Sequence, residues 1–239
     1  FAGQAFDLAE RYQTPVFINT DLDLGMNNWV TDPFPYPEEP IRRGKVLTAE
    51  DLERLGGFAR YRDVDGDGVG WRTLPGTPHP AAAYFTRGSG HNEKAQYSER
   101  EDDYVNNLDR LARKLEALRG DVPQPEVQLV PGAEIGIVCY GSSRYAAEES
   151  RDQLAREYGL AASYLRLKAY PFTSELERFV EAHARIYVID QNRDAQLLGL
   201  MRLDLPVPLL GRLRSVRHYT GLPVDARSVT NQIVQQEGL

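Results

Sequence analysis

From Ile135 to the C-terminus the chain alternates short apolar runs with amphipathic ones, and this alternation leaves little choice of fold. Strands are expected at Ile135–Ile137–Val138–Cys139–Tyr140, Tyr164–Leu167, Arg185–Ile189 and Leu213–Tyr219. Helices are expected between and after them, at Ser143–Tyr158, Ser174–His183, Asp194–Leu203 and Asp225–Gln235. Runs such as "IGIVCY" are apolar at consecutive positions, the mark of strands covered on both faces. Successive parallel strands need a crossover of helical length, so the pattern predicts an open α/β sheet with helices on both sides. Ser174 with Glu177 has the spacing of a capping box, and Asp194 stands where a helix N-cap would fall.

The N-terminal part begins in the same way, with a helix at Phe1–Tyr12, a Pro-marked turn and a buried strand at Val16–Asn19. That strand runs into "DLDLGMNNW". Ligands of open α/β sheets collect at the carboxyl ends of strands, so Asp21, Asp23, Asn27 and Asn28 are candidate binding residues. Residues 31–80 then dissolve into Pro, Gly and charge, broken by a short helix at Thr48–Leu55; so long an excursion is more often functional or interfacial than idle. A helix at Glu101–Arg119 carries an apolar stripe of Val105, Leu108, Leu111, Ala112, Leu115 and Leu118, with Gly120 as its stop. The stretch "GDVPQPEVQLVPG" reads as a linker, giving domains at residues 1–122 and 123–239. The chain opens at Phe1, inside a helix and without Met, as a piece cut from a longer protein would.

Composition excludes several classes of function. A formal charge of −7, with arginines interleaved among acids, lacks the basic face that nucleic acid requires. No apolar run is long enough to span a bilayer, and nothing at the N-terminus reads as a signal peptide. The single cysteine, Cys139, lies in an apolar run and reads as core; a disulfide framework, a cysteine-built metal site and a cluster are thereby excluded, as suits a cytoplasmic protein. His183 and His218 read as ordinary edge residues.

"DVDGDG", Asp63–Gly68, opens like a calcium loop, with oxygens at its first, third and fifth positions and glycine at the sixth. The twelfth position is Leu74, which offers no carboxylate, and Pro75, Pro78 and Pro80 forbid the exiting helix. An acidic surface turn and an incomplete ion site both remain open, and no metal ligand is assigned. "YGSSR" places Gly141, Ser142 and Ser143 between a strand and a helix, where backbone N–H groups can hold an anion or simply make a turn. "TRGSGHNE" gathers Arg87, Ser89, Gly90, His91 and Glu93. Its glycines permit close backbone approach to a ligand, and a histidine two residues from a glutamate could share a proton with it. A solvated loop with an incidental histidine is the alternative.

Read in order, "RYQTPVFINTDLDLGMNNW", "RYRDVDGDGVGWRTLPGT", "YFTRGSGHNE", "YGSS", "YVIDQNRDAQL" and "HYTGLPVDARSVT" resemble the C-terminal half of the alpha subunit of 2-oxoacid:ferredoxin oxidoreductases, most closely the 2-oxoglutarate type. The resemblance implies that residues 1–122 close a pyrimidine-type thiamine diphosphate domain with a long irregular insertion. It implies that residues 123–239 form a small three-layer transketolase-C-terminal-like domain. It further implies coenzyme A-dependent oxidative decarboxylation of a 2-oxoacid, with ferredoxin as electron acceptor. Thiamine diphosphate with magnesium and an iron–sulfur cluster are then expected mainly on a beta subunit. Under this reading His91, Glu93 and Arg87 are candidate catalytic residues, while Asp21, Asp23, Asn27, Asn28, Ser89 and Gly90 line the cofactor. The acidic loop becomes a turn typical of such subunits. Asn92, Asp190 and Ala195 depart mildly from the pattern, standing where Asp, Glu and Gly are usual. A structural docking module without chemistry and a calcium-binding domain are the competing readings.

Overall fold

A computed structural model describes residues 1–36, 38–86 and 88–239. They form two compact units, the first from Phe1–Ile18 and Asp32–Asp121 and the second from Asn19–Thr31 and Val122–Leu239. The excursion at 19–31 therefore clusters with the C-terminal unit, although it lies within the 1–122 stretch.

The helices of the N-terminal half are α1 (Ala2–Tyr12), α2 (Leu22–Met26), α3 (Ala49–Leu55) and α4 (Glu101–Leu118), of which α2 lies in the second unit. α3 starts where Thr48 and Asp51 make a reciprocal capping box, and it stops at Gly56 with φ +65°. α4 carries Glu101, Asp102 and Asp103 in its first turn, where acids complement the helix dipole. In the first unit, α1 is tied to the end of α4 by the buried Tyr12. Its hydroxyl donates to the Ala117 carbonyl at 3.1 Å and to the Asp121 carboxylate. Burial and then Asp121 push that phenol up to about 12.

One expectation fails here. The Val16–Asn19 strand does not form, and Phe17 and Ile18 are 83% and 50% exposed. Among the described residues the unit has only single bridges, Val46–Arg72 and His91–Tyr97, so an extended run has no ladder in which to satisfy its backbone. α4 forms where its periodicity predicts a helix, with Val105, Leu108, Leu111 and Leu115 of its apolar stripe exposed and Leu118 buried. What α4 turns toward the unit is instead Arg110 and Lys114.

The second unit is a five-stranded sheet in the order β1-β3-β2-β4-β5. Its strands are β1 (Glu126–Gln128), β2 (Ile135–Tyr140), β3 (Ala162–Leu167), β4 (Arg185–Asp190) and β5 (Leu213–Arg217). β2 to β5 run parallel, as their alternation with α5 (Arg144–Tyr158), α6 (Ser174–Glu181), α7 (Gln196–Asp204), α8 (Val207–Leu210) and α9 (Ala226–Glu237) requires. β1 pairs antiparallel with β3 inside the stretch expected to be a linker; three residues ending before Pro131 carry too short a pattern to reveal a strand. Ile135, Ile137 and Cys139 point to one face, where Tyr164 and Ile189 join them against Leu154 of α5 and Val229 and Ile233 of α9. Val138, Leu165 and Val188 point to the other, against Phe179 of α6 and Met201 of α7. This period of two, with both faces covered, gives the three layers. Gly136 is required in β2, since a Cβ there would lie 2.6 Å from the Phe179 ring.

Helix ends also depart from expectation. α6 takes Thr173 as N-cap, one residue earlier, so Ser174 enters the helix and the expected capping box makes no cap hydrogen bond. His183 is buried, not an edge residue, with Nδ1 2.7 Å from the Phe179 carbonyl. The Arg212 guanidinium donates to the carbonyls of Val180, Glu181 and His183 at 3.2, 2.7 and 2.9 Å, closing the end of α6.

β5 ends the sheet, and an open strand edge invites pairing with other chains. Here Gln232 and Gln236 of α9 occupy it. The Gln232 amide accepts from Arg217 N–H and donates to the Arg217 carbonyl, both at 3.1 Å, and Gln236 donates to the Ser215 carbonyl at 3.0 Å. The Gln232→Leu/Gln236→Leu variant is expected to lose about 1–2 kcal/mol, from hydrogen bonds left unmade. It should also self-associate with concentration in light scattering. A wild-type midpoint and mass would show that the glutamines do not guard the edge.

Candidate functional site

The acidic loop carries a cation of its own. Lys45 Nζ lies 2.6 Å from Asp65 and 2.7 Å from Asp67, and donates to the Val69 carbonyl at 3.0 Å. Asp63 is held by Arg113 at 3.0 Å and accepts Gly68 N–H at 3.0 Å. Among the described residues no group of His, Cys, Asp and Glu is arranged to hold a metal ion. Burial alone would raise Asp67, but the Lys45 and Val69 hydrogen bonds outweigh it and keep the carboxyl below its usual range. Burial would likewise lower Lys45, and Asp65 and Asp67 outweigh it and raise the ammonium. A depressed acid stabilises above its ordinary pKa and loses that contribution as pH falls through the folded value. A raised base stabilises below its ordinary pKa and loses it as pH rises through the folded value. The loop is therefore firmest between the carboxylate and lysine ranges. Terbium should give no sensitised luminescence with the wild type, and Lys45→Met should cost about 1–2 kcal/mol, since the partly exposed pair is screened. Micromolar terbium binding that Asp65→Ala abolishes would overturn this.

The "GSGHNE" loop folds back on itself beside this one in the first unit. Gly90 and Ser98 are bonded through Ser98 N–H at 3.2 Å, and a Cβ on Gly90 would lie 2.4 Å from the Ser98 carbonyl. The His91 ring stacks on Tyr61, with centroids 3.9 Å apart. Its Nδ1 lies 3.1 Å from the Asn92 carbonyl and 3.4 Å from the Asn107 amide, whose Nδ2 donates at 2.6 Å to the His91 carbonyl. A carbonyl only accepts, so the Asn92 contact is a hydrogen bond in the tautomer that carries the proton on Nδ1, and the Asn107 amide contact is one in the other. Glu93 does not share a proton with His91. It forks onto Arg62 at 3.0 and 2.5 Å, and Arg62 holds its carboxyl below the usual range. Ser89 and Gly90 line a groove of about 580 Å³ with Tyr97, Ser98, Tyr104 and Val105. Arg87 lies outside the described residues.

In the second unit the remaining candidates gather at the carboxyl end of the sheet. β2 leads into α5 on one face and β4 into α7 on the other, so the ends of these neighbouring strands form the crevice where such sheets bind ligands. The Gly141–Ser143 turn, at the end of β2, meets an anion from the chain itself. Ser142 Oγ donates to the Asp21 carboxylate, and Gln191 Nε2 donates to Ser142 Oγ at 3.1 Å. Asp21 also caps α2 by accepting Leu24 N–H at 2.9 Å. Burial would raise this acid, and the Ser142 hydroxyl with the Leu24 and Ser142 N–H groups outweighs it and lowers it. Asp23 is half-buried, Asn27 and Asn28 are exposed, and Trp29 stacks on Tyr145 at 5.3 Å.

The candidates thus divide, with Ser89, Gly90, His91 and Glu93 in the first unit and Asp21, Asp23, Asn27 and Asn28 in the second. Sequence reasoning misses Lys45, Tyr61 and Arg62. Lys45 stands 20 residues before Asp65 in an irregular stretch and gives no signal. Tyr61 and Arg62 sit beside the acidic loop, and their aromatic-basic pairing next to Asp63 is the available clue.

Fold and ordered motifs together define the class the chain resembles: a subunit of a 2-oxoacid:ferredoxin oxidoreductase, of the 2-oxoglutarate type. Among curated proteins, the 2-oxoglutarate synthase subunit KorA of Methanothermobacter thermautotrophicus is 25% identical over 210 residues, 85% of this chain and 52% of its own length. Among solved structures, the 2-oxoglutarate:ferredoxin oxidoreductase of Magnetococcus marinus, with 2-oxoglutarate, coenzyme A and succinyl-CoA bound, superposes with a TM-score of 0.81. At 23% identity it covers 96% of this chain and 38% of that one, and it shows the shared fold. The chain thus spans about half the length of the curated relative it matches. No family model matches.

Proposed function

We propose that this chain is the C-terminal part of the alpha subunit of a 2-oxoglutarate:ferredoxin oxidoreductase, working in a heteromeric assembly with a beta subunit. The reaction is coenzyme A-dependent oxidative decarboxylation: the bond from the carboxylate to the 2-oxo carbon breaks to release carbon dioxide, the acyl group joins the coenzyme A sulfur, and ferredoxin takes the electrons. The supporting observation is the 25% identity to KorA over 210 residues, with the quoted motifs in order. Thiamine diphosphate, when bound, supplies the carbanion-stabilising chemistry.

The donors of this chain do not fit the inorganic groups. An iron–sulfur cluster needs several thiolates, and the one cysteine, Cys139, is sealed in the sheet with its thiol pushed up to about 12 by burial. The carboxylates of the acidic loop are occupied by Lys45 and Arg113. On this reading the magnesium and the cluster belong to the beta subunit. What the chain supplies is a positioned imidazole. His91, stacked on Tyr61 and braced by Asn107, presents Nε2, while Glu93 and Arg62 anchor the loop.

The purified chain should not reduce a viologen dye with 2-oxoglutarate and coenzyme A. In the complete complex, His91→Ala should leave assembly and melting intact and lower kcat about tenfold or more. Unchanged kcat and KM would remove the catalytic role. Lost assembly would favour the second reading, a docking module, which the exposed α4 residues Val105, Leu108 and Leu115 support.

A further inference from the structure

In a chain of net charge −7, three half-buried cations of the first unit lack an ion-pair partner among the described residues. Arg60 stands before the acidic loop; Arg110 and Lys114 lie one turn apart on α4. Arg60 packs its guanidinium over Tyr61 at 5.1 Å and Tyr84 at 5.7 Å, and Arg110 lies 5.5 Å from the Tyr61 ring. The Nε atoms of Arg60 and Arg110 are buried without a hydrogen-bond partner. Arg110 spends one N–H on the Gly68 carbonyl at 3.0 Å, and Lys114 Nζ reaches the Gln13 carbonyl at 3.4 Å. These are neutral acceptors, and the one loop carboxylate that acts on Arg110, Asp63, is shared with Arg113. The carboxylates of the loop are already committed, Asp63 to Arg113 and Asp65 and Asp67 to Lys45.

Such an arrangement costs stability. Burial and then the neighbouring cations depress Arg110 and Lys114, the behaviour of like charges held together. Rings and carbonyls pre-position the three groups without neutralising them, and a preorganised half-buried cation cluster is what a multiply charged oxyanion binds. We propose that Arg60, Arg110 and Lys114 form a binding site for a phosphate-class anion, with Tyr61 and Tyr84 fixing the geometry. All three cationic side chains are half-buried, Tyr84 is exposed, and the site lies wholly within the first unit. It is independent of the oxidoreductase reading.

The sign of the mutational effect distinguishes a binding site from a structural one. Without ligand, Lys114→Met should raise the melting temperature, because it relieves like-charge crowding while keeping the stem's packing. Calorimetry at low salt should show inorganic pyrophosphate binding the wild-type chain more tightly than inorganic phosphate. Lys114→Met and Arg60→Met should each weaken pyrophosphate at least about tenfold, the loss expected when one charge-assisted contact goes. Succinate, a dicarboxylate, should bind weakly, which separates phosphate from carboxylate chemistry. The proposal is overturned if millimolar pyrophosphate neither binds nor raises the melting temperature of the wild type. It is equally overturned if Arg60→Met and Lys114→Met bind it as the wild type does, or if Lys114→Met lowers melting with no dependence on the anion.

Discussion

Gly68→Ala is expected to cost about 3–5 kcal/mol and to unfold much of the first unit, since domains are typically stable by only about 5–15 kcal/mol. Two effects add. Gly68 sits at φ +78°, where an L side chain is strained by about 1–2 kcal/mol. Its Cβ would also lie 2.3 Å from the Arg110 carbonyl and 2.4 Å from Lys114 N, both backbone atoms of α4, so no rotamer change relieves the clash. Gly66 provides the control within the same loop. Its φ is also +78°, but nothing lies within 4 Å of where a methyl would stand, so Gly66→Ala should show the strain alone, about 1–2 kcal/mol. Urea unfolding of the two variants measures the difference, which belongs to the contact between loop and helix. Equal losses would mean that the loop does not seat against α4. Gly68 of this acidic stretch serves docking of the loop, which the calcium-like spacing alone conceals.

How much of this is legible in the sequence follows from which forces are local. The C-terminal unit is readable because each of its parallel strands is covered on both faces, so that "IGIVCY" and "RIYVID" announce themselves without their partners. What is less readable depends on neighbours. Val16–Asn19 has strand propensity, but strand formation needs a ladder, and the first unit offers none among the described residues. The α4 stripe has the right period, but period reveals that a helix has two faces and not which face is covered. The site divides in the same way. His91 and Asp21 are identifiable as candidates from residue type and position. Their partners, Tyr61 and Ser142, come from 30 and 121 residues away, beyond any local pattern. Glu93, close to His91 in sequence, pairs with Arg62 because a guanidinium fork matches a carboxylate better than an imidazole does.

Asp190→Ala should destabilise the second unit by about 3 kcal/mol and lower its melting temperature by about 10 °C. Asp190 ends β4 with no exposed surface, and its carboxylate receives Leu197 N–H at 2.9 Å, Leu198 N–H at 3.3 Å and the Asn192 amide at 3.2 Å. The expected N-cap, Asp194, plays no such part: it pairs with Arg193 on the surface, and the cap position falls on Ala195 at φ +51°. The first turn of α7 is thus satisfied from the strand that precedes it, together with Asn192 Oδ1, which accepts from Gln196 N–H at 3.1 Å. Removing the carboxylate strands two N–H groups in a buried place, each costing about 1–3 kcal/mol unless water enters. Asp190→Asn keeps one acceptor oxygen and should lose roughly half as much. Ala195→Gly, which relieves the left-handed backbone, should gain up to about 1 kcal/mol and partly restore the alanine variant. Hydrogen exchange provides the local check, because the Leu197 and Leu198 amides should lose protection before those of α5 do. A melting temperature near wild type for Asp190→Ala, with those two amides still protected, would show that α7 is held by the packing of its Met201 in the cluster with Val188 and not by the strand-borne carboxylate.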